Sequence, residues 1–344
     1  MTTDTEELFL RFYDRVSLRI RGPPSVIGFL RSEWLQFEVD SEVSDPDLEA
    51  SWLTVHQRLN SAPRVPGNTR TGGWYKGCFW QAEMGERNGR LCVNYSNFPP
   101  NNYLFRDSCL EPILLGMLGS QGLHSLHASS VVLGDEAWAF CGPPRSGKTM
   151  LALTAAHQGH QYLSDDVTII GSGRLYPYPS PPRIYPHSGR ERELLWSVAH
   201  YATPRELIVS ALLDLTTFGR VRIPTRLHLR VPAFPASQSF RDYPLGGLLL
   251  LRKDARTLRF TPCEDRSTAI QEVANNSSIH GASLIAKLRW GDGFKQIRLS
   301  GLTKDLGDLV DHGRVFIVHL PNRPDAPGWK SILNSTIELA AEVA

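Results

Sequence analysis

The sequence predicts an α/β protein in two parts. A mixed, β-rich α+β unit spans residues 1–105, and a phosphate-loop unit spans 106–344. Three observations carry this. Short alternating segments dominate the first hundred residues. Phe98-Pro99-Pro100-Asn101-Asn102 then breaks the pattern. Beyond it, an apolar strand runs into a glycine-rich loop and out into an apolar-periodic helix, at Gly142–Thr149.

In the first part, Val16, Leu18 and Ile20 alternate with Ser17, Arg19 and Arg21, which predicts a half-buried strand. Leu35, Phe37 and Val39 repeat the alternation. Asp47–Leu59 suits a short helix, and the Pro, Gly, Asn and Thr of Ser61–Gly73 suit a loop. Gly77–Glu83 and Arg90–Tyr95 predict a hairpin. The four Trp of this part (34, 52, 74, 80) fit core positions better than a partner-binding face.

In the second part, Pro112–Leu118 predicts a helix, and Leu126–Leu133 and Ala137–Cys141 predict strands joined by a turn at Gly134-Asp135. Lys148–Gln158 predicts a helix closed by Gly159. Gln161–Leu163 is a third strand, ending in Ser164-Asp165-Asp166, and Val167–Ile170 stays extended. Prolines from Tyr176 to Pro186 predict a shaped loop. Glu191–Ala199, Arg205–Leu213 and Asp265–Val273 suit helices; Gly246–Leu251, Leu258–Phe260 and Val315–Leu320 suit strands. The chain closes on an amphipathic helix with Trp329, Ile332, Leu333 and Ile337 on one stripe.

Gly142-Pro143-Pro144-Arg145-Ser146-Gly147-Lys148-Thr149 matches G-x-x-x-x-G-K-[ST] at every fixed position. Such a loop turns backbone N–H groups and a helix N-terminus toward phosphate oxygens. Gly147 allows close backbone approach, Lys148 brings a point charge to the β- and γ-phosphates, and the Thr149 hydroxyl is a ligand for Mg²⁺. Arg145 is a further candidate for a phosphate contact. Asp165 lies 17 residues after Lys148, a distance of one helix out and one strand back. Both carboxylates can therefore return to the mouth of the loop. Adjacent residues at a strand end point to opposite sides, so Asp165 and Asp166 are expected to divide two tasks: one on Mg²⁺, the other accepting a proton from an attacking hydroxyl.

Leu126-His127-Ala128-Ser129-Ser130, the phosphate loop, and Gly159-His160-Gln161-Tyr162-Leu163-Ser164-Asp165-Asp166 together resemble the C-terminal catalytic domain of HPr kinase/phosphorylase. The resemblance spans residues 112–170. It implies a P-loop domain of the HPr kinase and phosphoenolpyruvate carboxykinase type, ATP with Mg²⁺, and γ-phosphoryl transfer to a Ser hydroxyl. By position it implies phosphate and metal roles for Lys148 and Thr149, places Asp165 and Asp166 in the family's acidic pair, and sets His127 near the catalytic base. The family's later Glu-x-Arg-Gly-x-Gly signature has no counterpart here, and its His-Gly pair is His127-Ala128. The chain is thus closer to divergent members similar to lasso-peptide tailoring kinases. Homo-oligomers are common in the family.

The expected activity is ATP-dependent phosphorylation of a hydroxyl on a peptide or small molecule; the alternative is an ATP-binding regulator with little or no transfer. Composition narrows the partners. Basic and acidic residues nearly balance, 37 against 35, which argues against nucleic acid as a partner. Of the basic residues only seven are Lys. Arg183–Arg230 holds eight Arg against four acids, a net of +4, and is a candidate holder of an acidic acceptor. No apolar run approaches the ~20 residues of a membrane span, and no signal-peptide pattern opens the chain. Five scattered Cys without a CxxC pair fit reduced thiols in the cytoplasm.

Overall fold

The structure is a computed structural model. It describes residues 5–39, 46–52, 69–75, 78–87, 90–98, 102–178, 183–184, 199–201, 225–229, 241–255, 257–278, 303–304, 306–321 and 326–343. The chain is mixed α/β, with six α-helices and eighteen strands among the described residues. Its described residues fall into two compact units that divide between Leu123 and His124, later than the break expected at 105/106.

The first unit is built on a six-stranded sheet in the order β1-β2-β3-β6-β5-β4. Its strands are β1 (Glu6–Phe12), β2 (Val16–Gly22), β3 (Leu48–Trp52), β4 (Thr69–Tyr75), β5 (Cys78–Arg87) and β6 (Arg90–Phe98). The predicted strand at Val16 and the β5–β6 hairpin are present, with β1 added antiparallel to β2. Helix α1 (Pro24–Trp34) opens on proline, whose fixed φ suits a first turn, and buries Val26, Ile27, Leu30 and Trp34.

Three expectations fail here. Leu35, Phe37 and Val39 do not form a strand: Leu35–Phe37 is a 3₁₀ turn that closes α1, with Leu35 largely exposed and Phe37 buried. Asp47–Leu59 does not begin as a helix. Leu48–Trp52 is a parallel strand between β2 and β6, and Leu48 and Ala50 bury one face. Asp47 fixes its start by accepting hydrogen bonds from the Ser17 backbone N–H (2.8 Å) and hydroxyl (2.7 Å). The expected loop at Ser61–Gly73 is strand from Thr69 onward. In each case pairing with a distant strand or helix outweighs local propensity. Short helices α2 (Asn102–Phe105) and α3 (Glu111–Ser120) follow. Between them Arg106 is wholly buried and paired with Glu33 at 2.8 Å and Glu111 at 3.1 Å.

The second unit carries a nine-stranded sheet. Its central run is β10 (Gln161–Ser164), β8 (Ala128–Leu133), β9 (Glu136–Cys141) and β16 (Tyr243–Ala255). Strand β18 (Val315–Pro321) pairs parallel to β16 and carries β17 (Arg259–Pro262) at the edge. At the start of β16 the sheet continues through β12 (Arg174–Tyr176), β11 (Thr168–Gly171) and β7 (His124–Leu126). Strands β13 (Arg183–Ile184), β14 (Ala199–Tyr201) and β15 (Thr225–Leu229) form a small separate sheet. The helices expected at Glu191–Ala199 and Arg205–Leu213 lie outside the described residues, save Ala199, which opens β14.

The unbroken apolar run Leu248–Leu251 reflects burial on both faces of the sheet. One face packs on α4 (Lys148–His157) and α6 (Ala326–Val343), joining Leu249 and Leu251 to Leu151, Ile332 and Leu333. The other packs on α5 (Arg266–Ser278) and residues 306–311, joining Leu248 and Leu250 to Ala269, Val273 and Leu309. Gly247 lies opposite Trp138 of β9, and a Cβ there would meet the indole at 2.4 Å. Glycine is what lets that ring lie on the central strand. Parallel β9, β16 and β18 share one carboxyl edge, where open α/β sheets bind ligands.

Candidate phosphate-binding and transfer site

Strand β9 ends at Cys141, and α4 begins at Lys148, so the intervening loop lies on the carboxyl edge as the motif predicts. Gly142 cannot carry a side chain: a Cβ would stand 2.7 Å from Ser146 Oγ and 2.8 Å from the Leu251 carbonyl. Ser146 N–H closes the turn onto Pro143 O at 3.1 Å. Pro143, Pro144 and Arg145 are exposed along the loop, and Arg145 takes a left-handed φ of 66°. Ser146 is 1% exposed and its hydroxyl finds no hydrogen-bond partner among the described residues. Gly147 adopts φ 106°. Its missing side chain serves a purpose beyond the expected clearance for phosphate: a Cβ would strike Trp329 of α6 at 1.9 Å.

Lys148 is buried and donates to Gly142 O (2.9 Å) and Pro143 O (3.2 Å), so its ammonium is curled against the loop it serves. Burial lowers its pKa, opposed chiefly by the charges of Asp166 and Asp165. The Cys141 thiol behind it is pushed up to about 12 by burial. Thr149, in the first turn of α4, donates its hydroxyl to Asp165 Oδ1 at 2.9 Å and Oδ2 at 3.1 Å.

Asp165 stands just past β10 and is 1% exposed. The Ser129 hydroxyl of β8 donates to its Oδ1. Burial raises its pKa to about 6, with the charge of Asp166 adding, while Ser129, Thr149 and Lys148 pull the other way. Behind it, Ser130 and Ser164 share a 2.5 Å hydrogen bond, and Ser164 and Thr168 one of 2.6 Å. These buried hydroxyls tie β8, β10 and β11 together without leaving a charge.

Asp166 has φ 65°, and Val167 N–H bonds back to Asp165 O at 2.8 Å. That is a γ-turn centred on a non-glycine residue with positive φ, a strained arrangement of the kind concentrated at functional sites. The turn separates the two carboxylates as expected: Asp165 is sealed against Thr149, while the Asp166 side chain is 26% exposed. His127 interrupts the strand expected over Leu126–Leu133, splitting it into β7 and β8. Its Nδ1–H donates to the Asp166 carbonyl at 3.0 Å and lies 3.9 Å from Asp166 Oδ1. That bond puts the proton on Nδ1 of the neutral ring and holds the turn from behind.

Lys148, Thr149, Asp165, Asp166 and His127 thus converge. Ser129 and Trp329 were not singled out by sequence reasoning. The signal for Ser129 was a hydroxyl pair in an otherwise apolar strand; for Trp329 it was only its place on an apolar stripe. Among the described residues no group of three or more His, Cys, Asp and Glu could hold a metal ion. Most of the Arg-rich stretch 183–230, all but residues 183–184, 199–201 and 225–229, lies outside the described residues. No helix among the described residues is long and apolar enough to cross a membrane. Cys109, Cys141 and Cys263 are buried thiols outside any disulfide, and Cys92 is buried as well. No protein-family model matches the chain, and no curated protein matches it.

Proposed function

We propose that the protein is an ATP-dependent phosphotransferase that moves the γ-phosphoryl group to a hydroxyl, a serine on a peptide or on a small molecule. The second unit would be a P-loop kinase domain of the HPr kinase and phosphoenolpyruvate carboxykinase type, working in the cytoplasm. The observation that carries the reading is the pairing of the loop Thr149 with a sealed carboxylate, Asp165, beside a second carboxylate, Asp166, that remains partly open. A site that only binds phosphate has no need of the second one.

The residues fit ATP with Mg²⁺. The buried Ser146 hydroxyl, without a partner among the described residues, gives the loop a polar group that a phosphate oxygen can satisfy. Thr149 and Asp165 offer adjacent oxygen donors, and Mg²⁺ takes only one or two carboxylates beside substrate phosphates. When bound, Mg²⁺ neutralises charge on the β- and γ-phosphate oxygens. Lys148 exchanges the loop carbonyls for phosphate oxygens and keeps its charge there. Asp166 takes the proton of the acceptor hydroxyl as its oxygen bonds to the γ-phosphorus; the bond to the bridging oxygen breaks, and that electron pair leaves on ADP. His127 holds the turn that aims Asp166.

An ATP-gated regulator is the competing reading, favoured by the absence of a Glu-x-Arg-Gly-x-Gly signature from the sequence. Incubation with γ-labelled ATP and candidate acceptors separates the two. Label on the acceptor, lost in Lys148→Ala, supports the kinase; nucleotide binding without transfer supports the regulator.

A further inference from the structure

We infer that Trp329 is a positioning residue of the phosphate loop, which makes the C-terminal helix α6 part of the nucleotide site. The inference rests on the reading of Gly142–Thr149 as a phosphate loop and adds a residue that the motif does not contain.

The starting point is the conformation of Gly147. Glycine takes positive and negative φ about equally, so nothing within the residue holds it at 106°. Its φ nevertheless decides where the next N–H groups point, because α4 starts at Lys148 and the Gly147 carbonyl already accepts from Leu151 N–H at 3.0 Å. The constraint must come from outside. A Cβ on Gly147 would meet Trp329 Cη2 at 1.9 Å, Cζ3 at 2.7 Å and Cζ2 at 2.8 Å. The six-membered ring of the indole is therefore a wall against the glycine Cα.

The ring is used for its shape. Buried tryptophan normally finds a partner for its N–H. Trp329 is 2% exposed, yet its Nε1 has none among the described residues. Its neighbours on the helix, Ile332 and Leu333, fill the same core as Leu151, Ala152 and Ala155 of α4. The helix that anchors the wall is thus packed on the helix whose N-terminus the wall orients. Removing the ring opens space behind Gly147 and frees its φ, so the loop N–H groups lose their common direction. Lys148 and Thr149 themselves are untouched by the change.

The test uses the full chain as wild type, Trp329→Phe, Trp329→Ala and, as a control for lost core packing on the other face of the sheet, Leu309→Ala. Two quantities are read: Kd for Mg·ATP by calorimetry, and hydrogen exchange of the amides of residues 142–151 without nucleotide. Trp329→Ala is expected to weaken binding by about tenfold or more, on the scale of one misplaced polar contact, and to speed loop exchange. Trp329→Phe keeps a ring against the glycine and restores most of both. Leu309→Ala lowers Tm but leaves Kd and loop exchange near wild type. Equal loss of affinity in Leu309→Ala and Trp329→Ala overturns the inference, as does an unchanged Kd in Trp329→Ala. If Trp329→Ala does not fold, Trp329→Leu takes its place with the same two outcomes. A wild-type protein that binds no nucleotide refutes the phosphate-loop reading instead, and loop exchange then decides the role of Trp329 alone.

Discussion

The hydroxyl of Thr149 donates to both oxygens of the Asp165 carboxylate, at 2.9 and 3.1 Å, joining the first turn of α4 to the end of β10. Ser129 donates to the same carboxylate from β8. The two oxygens proposed to hold Mg²⁺ are thereby held side by side by groups of the chain itself. Thr149→Ser keeps the oxygen and should retain most activity. Thr149→Val keeps the shape but loses the oxygen, and should cut phosphoryl transfer by roughly 10²–10³, the usual cost of one transition-state contact. Steady-state rates at saturating ATP check this; equal rates for the two variants would remove Thr149 from the site.

Asp166 is the proposed base, and its strained turn makes the substitution informative. Asparagine tolerates positive φ, so Asp166→Asn should fold normally, bind Mg·ATP and lose transfer by about 10²–10⁴. Asp166→Val combines the same chemical loss with backbone strain of about 1–2 kcal/mol. Thermal melts and nucleotide titrations separate the two effects. Full turnover in Asp166→Asn would exclude it as the base.

The buried Asp165 carboxyl predicts a pH dependence whose sign is fixed. Its folded pKa, about 6, lies above the ordinary carboxylate value of about 4. Between these values the folded state holds more protons than the unfolded, so this group makes stability fall as pH rises from about 4 to 6 and level off above. Asp165→Asn keeps the acceptor for Ser129 and Thr149 and never ionises. Its stability profile should be flatter than wild type across that window, as urea midpoints at several pH values would measure. Coincident profiles would contradict the burial argument.

Gly147→Ala should be damaging out of proportion to one methyl group. It meets both a left-handed φ and the Trp329 ring, with costs of about 1–2 kcal/mol for the backbone and about 1–3 kcal/mol for overpacking. Denaturant unfolding should show the loss. Gly134→Ala, where φ is 64° but nothing among the described residues lies within 4 Å of the added carbon, should show the backbone part alone.

Much of the site was legible in the sequence because its parts are local. The loop, the helix it starts and the Asp165-Asp166 pair lie within 25 residues, and a strand–loop–helix–strand path allows little freedom in where they meet. The different surroundings of the two carboxylates, one buried and one partly exposed, were expected from strand alternation, although a γ-turn at Asp166 produces them. What escaped was long-range. Trp329 reaches Gly147 from 182 residues away, and on sequence alone it is one apolar residue of an amphipathic helix. Ser129 became visible only when β8 paired with β10. Leu48–Trp52 reads locally as helix, and only its two strand partners make it β.

Transfer itself is the most direct test. The full chain, Mg²⁺ and γ-labelled ATP would be mixed with serine-bearing peptides and free serine, including the peptide products of neighbouring genes, and each acceptor followed by label and intact mass. The account predicts that one acceptor gains a single phosphoryl group, with labelled phosphate absent from the product in Lys148→Ala and Asp166→Asn. Tight binding of ATP by the wild type, with no acceptor labelled and no difference between wild type and Asp166→Asn, would contradict it.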